Sequence, residues 1–393
     1  MKIYFWSSTE YSGFLAGLIR ELNESEVGAR QCFQISEASY RAARSPGARL
    51  LLRLRQYVVY PLQLCAALVL QRIRLFSFRL FSGRFLKAAA QPLETDQLET
   101  EKAAGGSDIT VVSTNTFYAP LLATYLHPNV VHLVYDLFPE AMIHSGKWRE
   151  GTLKVRLVRW ITQQTVRRAR ANVFLGEGLR HSVESIHGAV PHAVVIPVGA
   201  DQSLFRQPPE QRLGCEGEEV GSAAVEYGIS NKIPSHRHTS KPTVLYCGNL
   251  GHMHDTATLF EFWDRATGRG AQGVGGDADV GASHRSAASP TFHFFCSGPQ
   301  RAKLEAVVAE LPACLRQTIV LGGGLSQSEW VAAMEAADVA LVTMTPGAET
   351  VVMPSKTYSA MMAGQAILAI APEQSDLVDL IKCYRIFIGL IIA

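Results

Sequence analysis

The chain lacks a strong net charge. Its 393 residues carry 37 Lys and Arg against 35 Asp and Glu, which gives a formal net charge of +2. A balance this close to neutral gives no electrostatic reason to expect a nucleic-acid partner. The length exceeds what one hydrophobic core normally supports, and 47% hydrophobic residues are typical of a folded protein. The composition therefore predicts more than one folded domain and no nucleic-acid binding.

The sequence also lacks paired cysteines and a signal peptide. Its seven cysteines are odd in number and widely spaced, no C-x-x-C occurs, and Cys247 and Cys296 lie inside strand-like apolar runs. This distribution favours buried free thiols in a reducing compartment over disulfides or a zinc site. The N-terminal "MKIYFWSSTEYSG" has no long apolar core and no cleavage site. We therefore expect a cytoplasmic protein.

Acidic residues are missing from one long segment. Residues 41–87 hold nine arginines and one lysine but no Asp or Glu, and they enclose the apolar stretch "YVVYPLQLCAALVL". That stretch is about 14 residues long, short of the roughly 20 needed to span a bilayer. A basic, apolar helix of this kind is typical of a segment at an anionic membrane surface, here the inner face of the plasma membrane. The alternative is a helical insertion that packs on its own domain, with solvated arginines.

Short apolar runs alternate with helical stretches along the rest of the chain. Continuous apolar runs of this length are typical of strands that are buried on both faces of a parallel sheet. The alternation predicts two successive α/β domains, 1–205 and 243–393, joined by a linker or insert over 206–242. After residue 380 the second domain is expected to lack its closing strand and helix, as a truncated domain would. The predicted strands are 2–6, 109–113, 130–135, 172–176, 193–197, 243–247, 292–296, 318–322, 338–343 and 366–371.

Two nucleotide-binding motifs are absent, because there is no G-x-x-x-x-G-K-[ST] and no G-x-G-x-x-G after the first strand. These absences argue against a P-loop ATPase and against a dinucleotide-binding domain. A D-x-D occurs at Asp277–Asp279, inside the Gly/Ala/Ser-rich stretch 267–290, which we interpret as a surface loop and not as a metal site. His252 and His254 are two residues apart in "GHMHD", which we interpret as a loop and not as a metal site.

Glycine-bearing loops follow four predicted strands, and a lysine stands at the start of a helix. The loops contain Gly13, Gly248, Gly298 and Gly322–Gly324, and ligands of open α/β sheets bind outside the carboxyl ends of strands. Glycine lets backbone N–H groups approach a phosphate closely. In "MPSKTYSAMMAG", Lys356 opens a helix whose N-terminus favours an anion. Together these features predict a site for a phosphorylated ligand.

The same residues carry a family resemblance. The order "YCGNLG", "CSGPQR", "LGGGLSQSEW", "DVALVTM" and "MPSKTYSAMMAGQAILA" resembles the donor half of the family-four retaining glycosyltransferases, in particular the branch that builds bacterial exopolysaccharide and O-antigen. The first half is similar in "VHLVYDLFPEAM", "ANVFLGEGLR" and "VVIPVGAD". The resemblance covers roughly residues 1–20 and 109–380.

The resemblance implies a GT-B architecture, in which two Rossmann-like domains face a cleft. The C-terminal domain would hold a nucleotide-diphosphate sugar and the N-terminal domain the acceptor. The sugar would be transferred with its anomeric configuration retained and without a metal, because fixed positive groups such as Lys356 and nearby backbone N–H groups stabilise the departing diphosphate. The donor-binding residues implied are Gly13, Gly248, Asn249, Gly298, Gly323, Glu349, Thr350, Val351, Val352, Ser355 and Ser359.

Three positions depart from the family pattern on the donor side. Many members have a glutamate that holds the nucleotide ribose where this chain has Ser359. A second glutamate, eight residues earlier, is replaced by Val351, although Glu349 stands two residues away. Many members also have an arginine in place of Asn249. The expected positive charge around the diphosphate therefore rests largely on Lys356.

On the acceptor side, Asp136 follows a predicted strand and is the candidate that accepts a proton from the acceptor hydroxyl. A turn-capping role for Asp136 stays open, Glu140 and Glu177 are alternative carboxylates, and His144 is interpreted as a surface residue. The basic segment 41–87, which contains no acidic residue, motivates a lipid-linked saccharide as the acceptor. A nucleotide-sugar 2-epimerase and a non-catalytic protein that binds a nucleotide or a partner enzyme are the alternative functions.

Overall fold

A computed structural model describes residues 2–9, 14–36, 39, 45–72, 108–197, 199–205, 241–267, 290–384 and 387–392. The chain divides into two units, the first of residues 1–198 with 351–353 and the second of residues 199–350 with 354–393. Each unit is built on a six-stranded sheet whose paired strands are all parallel. The prediction of two parallel-sheet α/β domains is confirmed. Residues 199–205 belong to the second unit, where the Phe205 ring lies 5.5 Å from that of Trp330.

The sheet of the first unit has the strand order β2-β1-β3-β4-β5-β6. All five strands predicted for this half are present within a few residues of their expected bounds. The strand β2 was missed because it contains Arg30, Gln31 and Gln34, which interrupt the apolar run at an edge of the sheet. The elements are β1 (Lys2–Thr9), α1 (Phe14–Glu24), β2 (Gly28–Ile35), α2 (Pro46–Leu54), β3 (Ile109–Ser113), α3 (Ala119–Leu126), β4 (Val130–Val134), α4 (Glu140–His144), α5 (Leu153–Arg168), β5 (Ala171–Phe174), α6 (Glu177–His187) and β6 (Ala193–Val195).

Part of the basic segment forms a long helix on the first sheet. After α2, a π-helical turn (Arg55–Val59) leads into further helix through residue 72, and we call the whole the 46–72 helix. Its side chains Tyr60, Leu64 and Leu68 are buried in a cluster with residues of β3, α3 and β4. This inner face therefore belongs to the core of the domain. Residues 41–44 and 73–87 of the predicted segment lie outside the described residues.

None of the helices in the described part of the chain combines the length and the apolar character that crossing a membrane requires.

The sheet of the second unit has the strand order β12-β11-β10-β7-β8-β9. Its core is rich in aromatic rings, and Trp263, Tyr246, Phe292 and Phe294 are all buried in it. The elements are β7 (Thr243–Asn249), α7 (Ala257–Ala266), β8 (Thr291–Ser297), α8 (Arg301–Glu310), α9 (Ala313–Arg316), β9 (Ile319–Gly322), α10 (Gln327–Ala336), β10 (Val339–Thr343), α11 (Lys356–Met362), β11 (Ala366–Ala371), α12 (Asp376–Tyr384) and β12 (Phe387–Ile392).

The expectation that this domain lacks a closing strand and helix is wrong. The helix α12 follows β11, and β12 pairs in parallel with β11 at the edge of the sheet. The segment "FIGLII" is a short run of β-branched and apolar residues, which suits a strand. Its pattern alone does not identify a strand, because no turn or helix signal follows the run.

The packing of the 46–72 helix generates a stability prediction. Leu64 is 0% exposed and Leu62, on the opposite side of the same helix, is 65% exposed. Leu64→Ala should lower the free energy of unfolding by about 2 to 5 kcal/mol, because it leaves a cavity in the core. Leu62→Ala is the matched control and should change it by less than about 0.5 kcal/mol. Urea titration followed by circular dichroism measures both, and equal effects would contradict the assigned packing.

Candidate functional site

The loops after β7 and β8 touch each other, and glycine permits the contact. The Leu250 N–H donates to the Ser297 carbonyl at 2.6 Å. Gly298 has φ +113°, and a Cβ there would lie 2.4 Å from Asn249 Oδ1 and 2.7 Å from the Leu250 carbonyl oxygen. Any larger residue would separate the two loops. The structure thus brings together Gly248, Asn249 and Gly298, three of the predicted donor-binding residues.

Lys356 joins this pair of loops from the start of α11. Its Nζ lies 3.4 Å from the Asn249 carbonyl oxygen and 3.3 Å from His254 Nε2. A Cβ at Gly248, which has φ +120°, would lie 3.0 Å from Lys356 Cε, so this glycine makes room for the lysine stem. Burial lowers the pKa of Lys356 to about 8. The lysine therefore lies where two loops meet, and its charge is only weakly compensated.

His254 fixes the position of the lysine, a role that sequence analysis missed. Its Nδ1 lies 2.9 Å from the Thr343 carbonyl oxygen. Because a carbonyl only accepts, Nδ1 carries the hydrogen and Nε2 is left as the acceptor for Lys356. Burial, and secondarily the charge of Lys356, lowers the pKa of His254 to about 4, so the ring is neutral at physiological pH. No sequence signal separates this histidine from its exposed neighbour His252.

The loop that carries His254 is braced by Gln300. Its Nε2 donates to the His254 carbonyl at 2.8 Å and to the Gly251 carbonyl at 2.5 Å, and its Oε1 accepts from Thr256 Oγ1 at 2.7 Å. The Thr345 N–H also donates to the Met253 carbonyl at 2.9 Å. These bonds hold the loop after β7 in one conformation, and with it the hydrogen bond from Lys356.

Glu349, in the second unit, has a buried carboxylate oxygen. It lies in a 3-10 turn (Ala348–Thr350), and among the described residues no hydrogen-bond donor contacts its buried Oε2. A buried carboxylate oxygen normally has a partner, so this one can accept from the hydroxyl of a ligand or from water. Thr350 Oγ1 donates to the Gly347 carbonyl at 2.8 Å and is engaged locally.

The remaining predicted donor residues are less distinctive. Val351 is buried, and its carbonyl accepts from the Leu137 N–H at 3.1 Å within the first unit. Ser355 is exposed and makes no side-chain cap bond, and the Thr357 N–H, expected to be free, donates to the Pro354 carbonyl at 3.3 Å. The other four are placed as follows: Val352 and Ser359 are partly buried, a Cβ on Gly323 would meet nothing within 4 Å, and Gly13 lies outside the described residues.

In the first unit, Asp136 follows β4 and lines a small cavity together with His132, Phe117 and Thr162. Its backbone N–H donates to Thr114 Oγ1 at 3.3 Å. Burial raises the pKa of Asp136 to about 6 and lowers that of His132 to about 4. A carboxylate whose pKa lies close to neutral is suited to exchange a proton with a substrate hydroxyl.

The alternative acceptor-side residues have other partners. Glu140 pairs with Arg159 at 2.7 Å, and Glu177 pairs with Arg180 at 2.8 Å. His144 is exposed. Of the carboxylates considered, Asp136 is the one that lines the cavity, and burial raises its pKa. It is therefore the better candidate for a proton acceptor.

Comparison with known proteins identifies the fold. The sequence matches no protein-family model and no curated protein. HepE from Anabaena, solved in complex with UDP, has a TM-score of 0.52 at 14% identity, over 97% of this chain and 83% of that one. The α,α-trehalose 6-phosphate synthase from Burkholderia multivorans has a TM-score of 0.52 at 12% identity, over 100% of this chain and 85% of that one.

A third solved structure agrees. The N-terminal domain of the trehalose-6-phosphate phosphatase from Candida albicans has a TM-score of 0.55 at 12% identity, over 97% of this chain and 85% of that one. These neighbours, together with the two parallel sheets, show that the chain has the GT-B fold. At these identities the likeness concerns the fold, and the activity has to be argued from the residues.

The burial of Lys356 generates a prediction about its titration. After reductive methylation with ¹³C-formaldehyde, the Lys356 resonance should titrate near pH 8, because burial disfavours the ammonium. An unperturbed lysine in a model peptide titrates at about 10.4. The resonance is assigned by its absence from Lys356→Arg and followed by NMR across the pH range. Titration of Lys356 above pH 10 would show that its amine is solvated.

Proposed function

We propose that the protein transfers a sugar from a nucleotide-diphosphate sugar to a saccharide acceptor, with retention of the anomeric configuration. The observation that carries the proposal is the meeting of Lys356, His254 and the glycine loops in a chain with the GT-B fold. The solved neighbour HepE has been captured with UDP, with UDP and glucose, and with UDP-glucose. A UDP-sugar is therefore the first donor to test.

Lys356 is proposed to stabilise the leaving diphosphate. As the bond between C1 and the phosphate oxygen breaks, negative charge develops on that oxygen, and a fixed cation nearby lowers the barrier. His254 and the Asn249 carbonyl each accept one of the three Nζ hydrogens, which leaves the third for a phosphate oxygen. An approaching phosphate also raises the pKa of Lys356 and keeps it charged. The lysine supplies the positive charge, so the proposal includes no metal, and transfer is expected to survive chelation by EDTA.

Glu349 and Asp136 are proposed to act on hydroxyl groups. The buried Oε2 of Glu349 is suited to accept a hydrogen bond from a hydroxyl of the donor sugar. The carboxylate of Asp136 is proposed to accept the proton of the acceptor hydroxyl while the hydroxyl oxygen forms the new bond to C1. Ser359 offers the nucleotide ribose a hydroxyl where many relatives offer a carboxylate, and this favours weaker nucleotide binding.

The acceptor is proposed to be lipid-linked, which places the protein peripherally at the cytoplasmic face of the plasma membrane. The basic 46–72 helix and its exposed leucines support this part of the proposal. The two alternatives differ in a measurable way. A non-catalytic protein would bind nucleotide without turnover, and a 2-epimerase would convert the nucleotide sugar without any acceptor. Incubation with UDP-sugars, with and without saccharide acceptors, separates the three.

The first prediction from the proposal concerns the lysine. Lys356→Ala should weaken UDP binding roughly 10- to 100-fold, which is what the loss of a charged hydrogen bond worth about 1.5 to 3 kcal/mol implies. Folding stability should change little. Lys303→Ala is the matched control, because this lysine lies on the exposed side of α8. Isothermal titration calorimetry with UDP and GDP measures the effect, and unchanged affinity for both would refute the role of Lys356.

The second prediction concerns Asp136. Asp136→Asn should reduce transfer at least about 100-fold and leave UDP binding intact, because the amide cannot accept the proton. In the unmodified enzyme, kcat/KM should fall as pH drops through about 6, where Asp136 becomes protonated. The variant should lose this dependence. Glu177→Gln, an exposed ion-pair residue after β5, is the control. If Asp136→Asn impairs UDP binding as much as transfer, Asp136 is structural.

A further inference from the structure

Three helices lie side by side on one face of the first sheet. The buried side of the 46–72 helix packs against Ala119 and Ala123 of α3. On the other side of α3, Arg168 of α5 stacks on the Tyr125 ring at 3.8 Å, and its Nε lies 3.3 Å from Thr124 Oγ1. The helices are therefore neighbours in the order 46–72 helix, α3, α5. We call their outward side chains the three-helix face.

The three-helix face is unusually apolar. It contains twelve of the eighteen exposed large apolar side chains found among the described residues. On α5, Leu153 is 80% exposed, Leu157 is 57% exposed and Trp160 is 50% exposed, whereas Val155 and Val158 point into the core. The other exposed apolar side chains of the face are Leu50, Leu51, Leu54, Val58, Leu62, Val69 and Leu70 of the 46–72 helix and Leu122 and Tyr125 of α3.

The face is also basic. The sequences of 46–72, α3 and α5 contain no Asp or Glu. The carboxylates that adjoin them come from other elements: Asp108 accepts from Gln71 Nε2 at 3.1 Å, and Glu140 and Glu150 pair with Arg159. Arg159 is thus compensated. The other basic residues of the three helices are Arg49, Arg53, Arg55, Arg72, Lys154, Arg156, Arg167 and Arg168.

This combination of properties fits a lipid surface. Leucines inserted into the acyl boundary, aromatic rings at the level of the headgroups and arginines among anionic lipids are the contacts that an interfacial helix makes. Each basic residue near an anionic membrane surface is attracted to the lipid headgroups, and the burial of apolar side chains adds to this attraction. An acidic protein partner would use the charge, but the leucines are spread over three helices and do not line a groove.

We propose that the three-helix face docks on an anionic phospholipid bilayer, with α5 as a second contact beside the 46–72 helix. The inference extends the membrane part of the proposed function, and it does not depend on sugar transfer. From the sequence alone only the segment 41–87 suggested a membrane. The structure places α5, about 100 residues further along the chain, on the same surface.

Sedimentation with vesicles tests the proposal on the full chain. The protein should sediment with phosphatidylcholine vesicles that contain phosphatidylglycerol and only weakly with pure phosphatidylcholine, at physiological ionic strength. Replacing Leu153, Leu157 and Trp160 by Ser should weaken binding to the anionic vesicles at least about tenfold. The matched control replaces Ile186, Val194 and Phe262 by Ser, because these three are exposed elsewhere. Thermal melts verify that both variants fold.

Charge is tested separately from apolar contact. A first variant has Gln in place of Arg156, Arg167 and Arg168 of α5, and it should bind anionic vesicles more weakly but neutral vesicles unchanged. A second variant, with the same expected result, has Gln in place of Arg49, Arg53, Arg55, Arg72 and Arg74, of which Arg74 lies outside the described residues. The control variant has Gln in place of Arg265 and Arg316 in the second unit, and its binding to anionic vesicles should not change. Emission from Trp160, identified as the signal lost in Trp160→Phe, should shift to the blue when anionic vesicles are added.

Three results would overturn the proposal. The first is an α5 variant that binds vesicles as tightly as the unmodified protein. The second is unmodified protein that stays in the supernatant with anionic vesicles. The third is a dimer in solution that the α5 substitutions convert to a monomer, because the face would then join two copies of the chain. UDP-induced thermal shift should be the same in all these variants, so a failure to bind UDP would count against the proposed function alone.

Discussion

The hydrogen bonds of the Lys356 ε-amine are the constraint on which the candidate donor site depends. A buried ammonium is costly unless it is compensated, and here it has a backbone carbonyl, a neutral imidazole and the ring of Tyr246, whose centroid is 5.3 Å away. Burial accordingly lowers the pKa of Lys356 to about 8. A diphosphate in contact with the amine would supply the missing counter-charge. The same burial that destabilises the charged lysine therefore favours anion binding.

Several features of the second unit follow from holding this amine in place. Gly248 leaves space for the lysine stem, and Gly298 lets the loops after β7 and β8 touch, so a side chain at either position would displace what Lys356 contacts. His254 must be the tautomer with hydrogen on Nδ1, and the Thr343 carbonyl at the end of β10 ensures it. The parallel sheet delivers these groups together, because its strands end at one edge.

The strands and the loops of the candidate donor site could be predicted from the sequence because their signals are local. Continuous apolar runs mark ten of the twelve strands found among the described residues. The two that were missed, β2 and β12, lie at sheet edges, where the pattern is weakest. Lys356, Gly248, Asn249 and Gly298 were predicted from glycine placement and family resemblance. The role of His254 was not, because it depends on a contact with a residue 102 positions away. The burial of Glu349 Oε2 and the basic, apolar surface of α5 are likewise products of tertiary packing, which no short motif records.

Burial moves the pKa values of Asp136 and Lys356 toward neutrality, from opposite sides. Burial raises that of Asp136 to about 6 and lowers that of Lys356 to about 8. Between these values Asp136 is ionised and can accept a proton, while Lys356 is charged and can stabilise a phosphate. A nucleotide diphosphate raises the pKa of the lysine by its own charge. The alkaline limit of the proposed activity should therefore move to higher pH when the donor is bound.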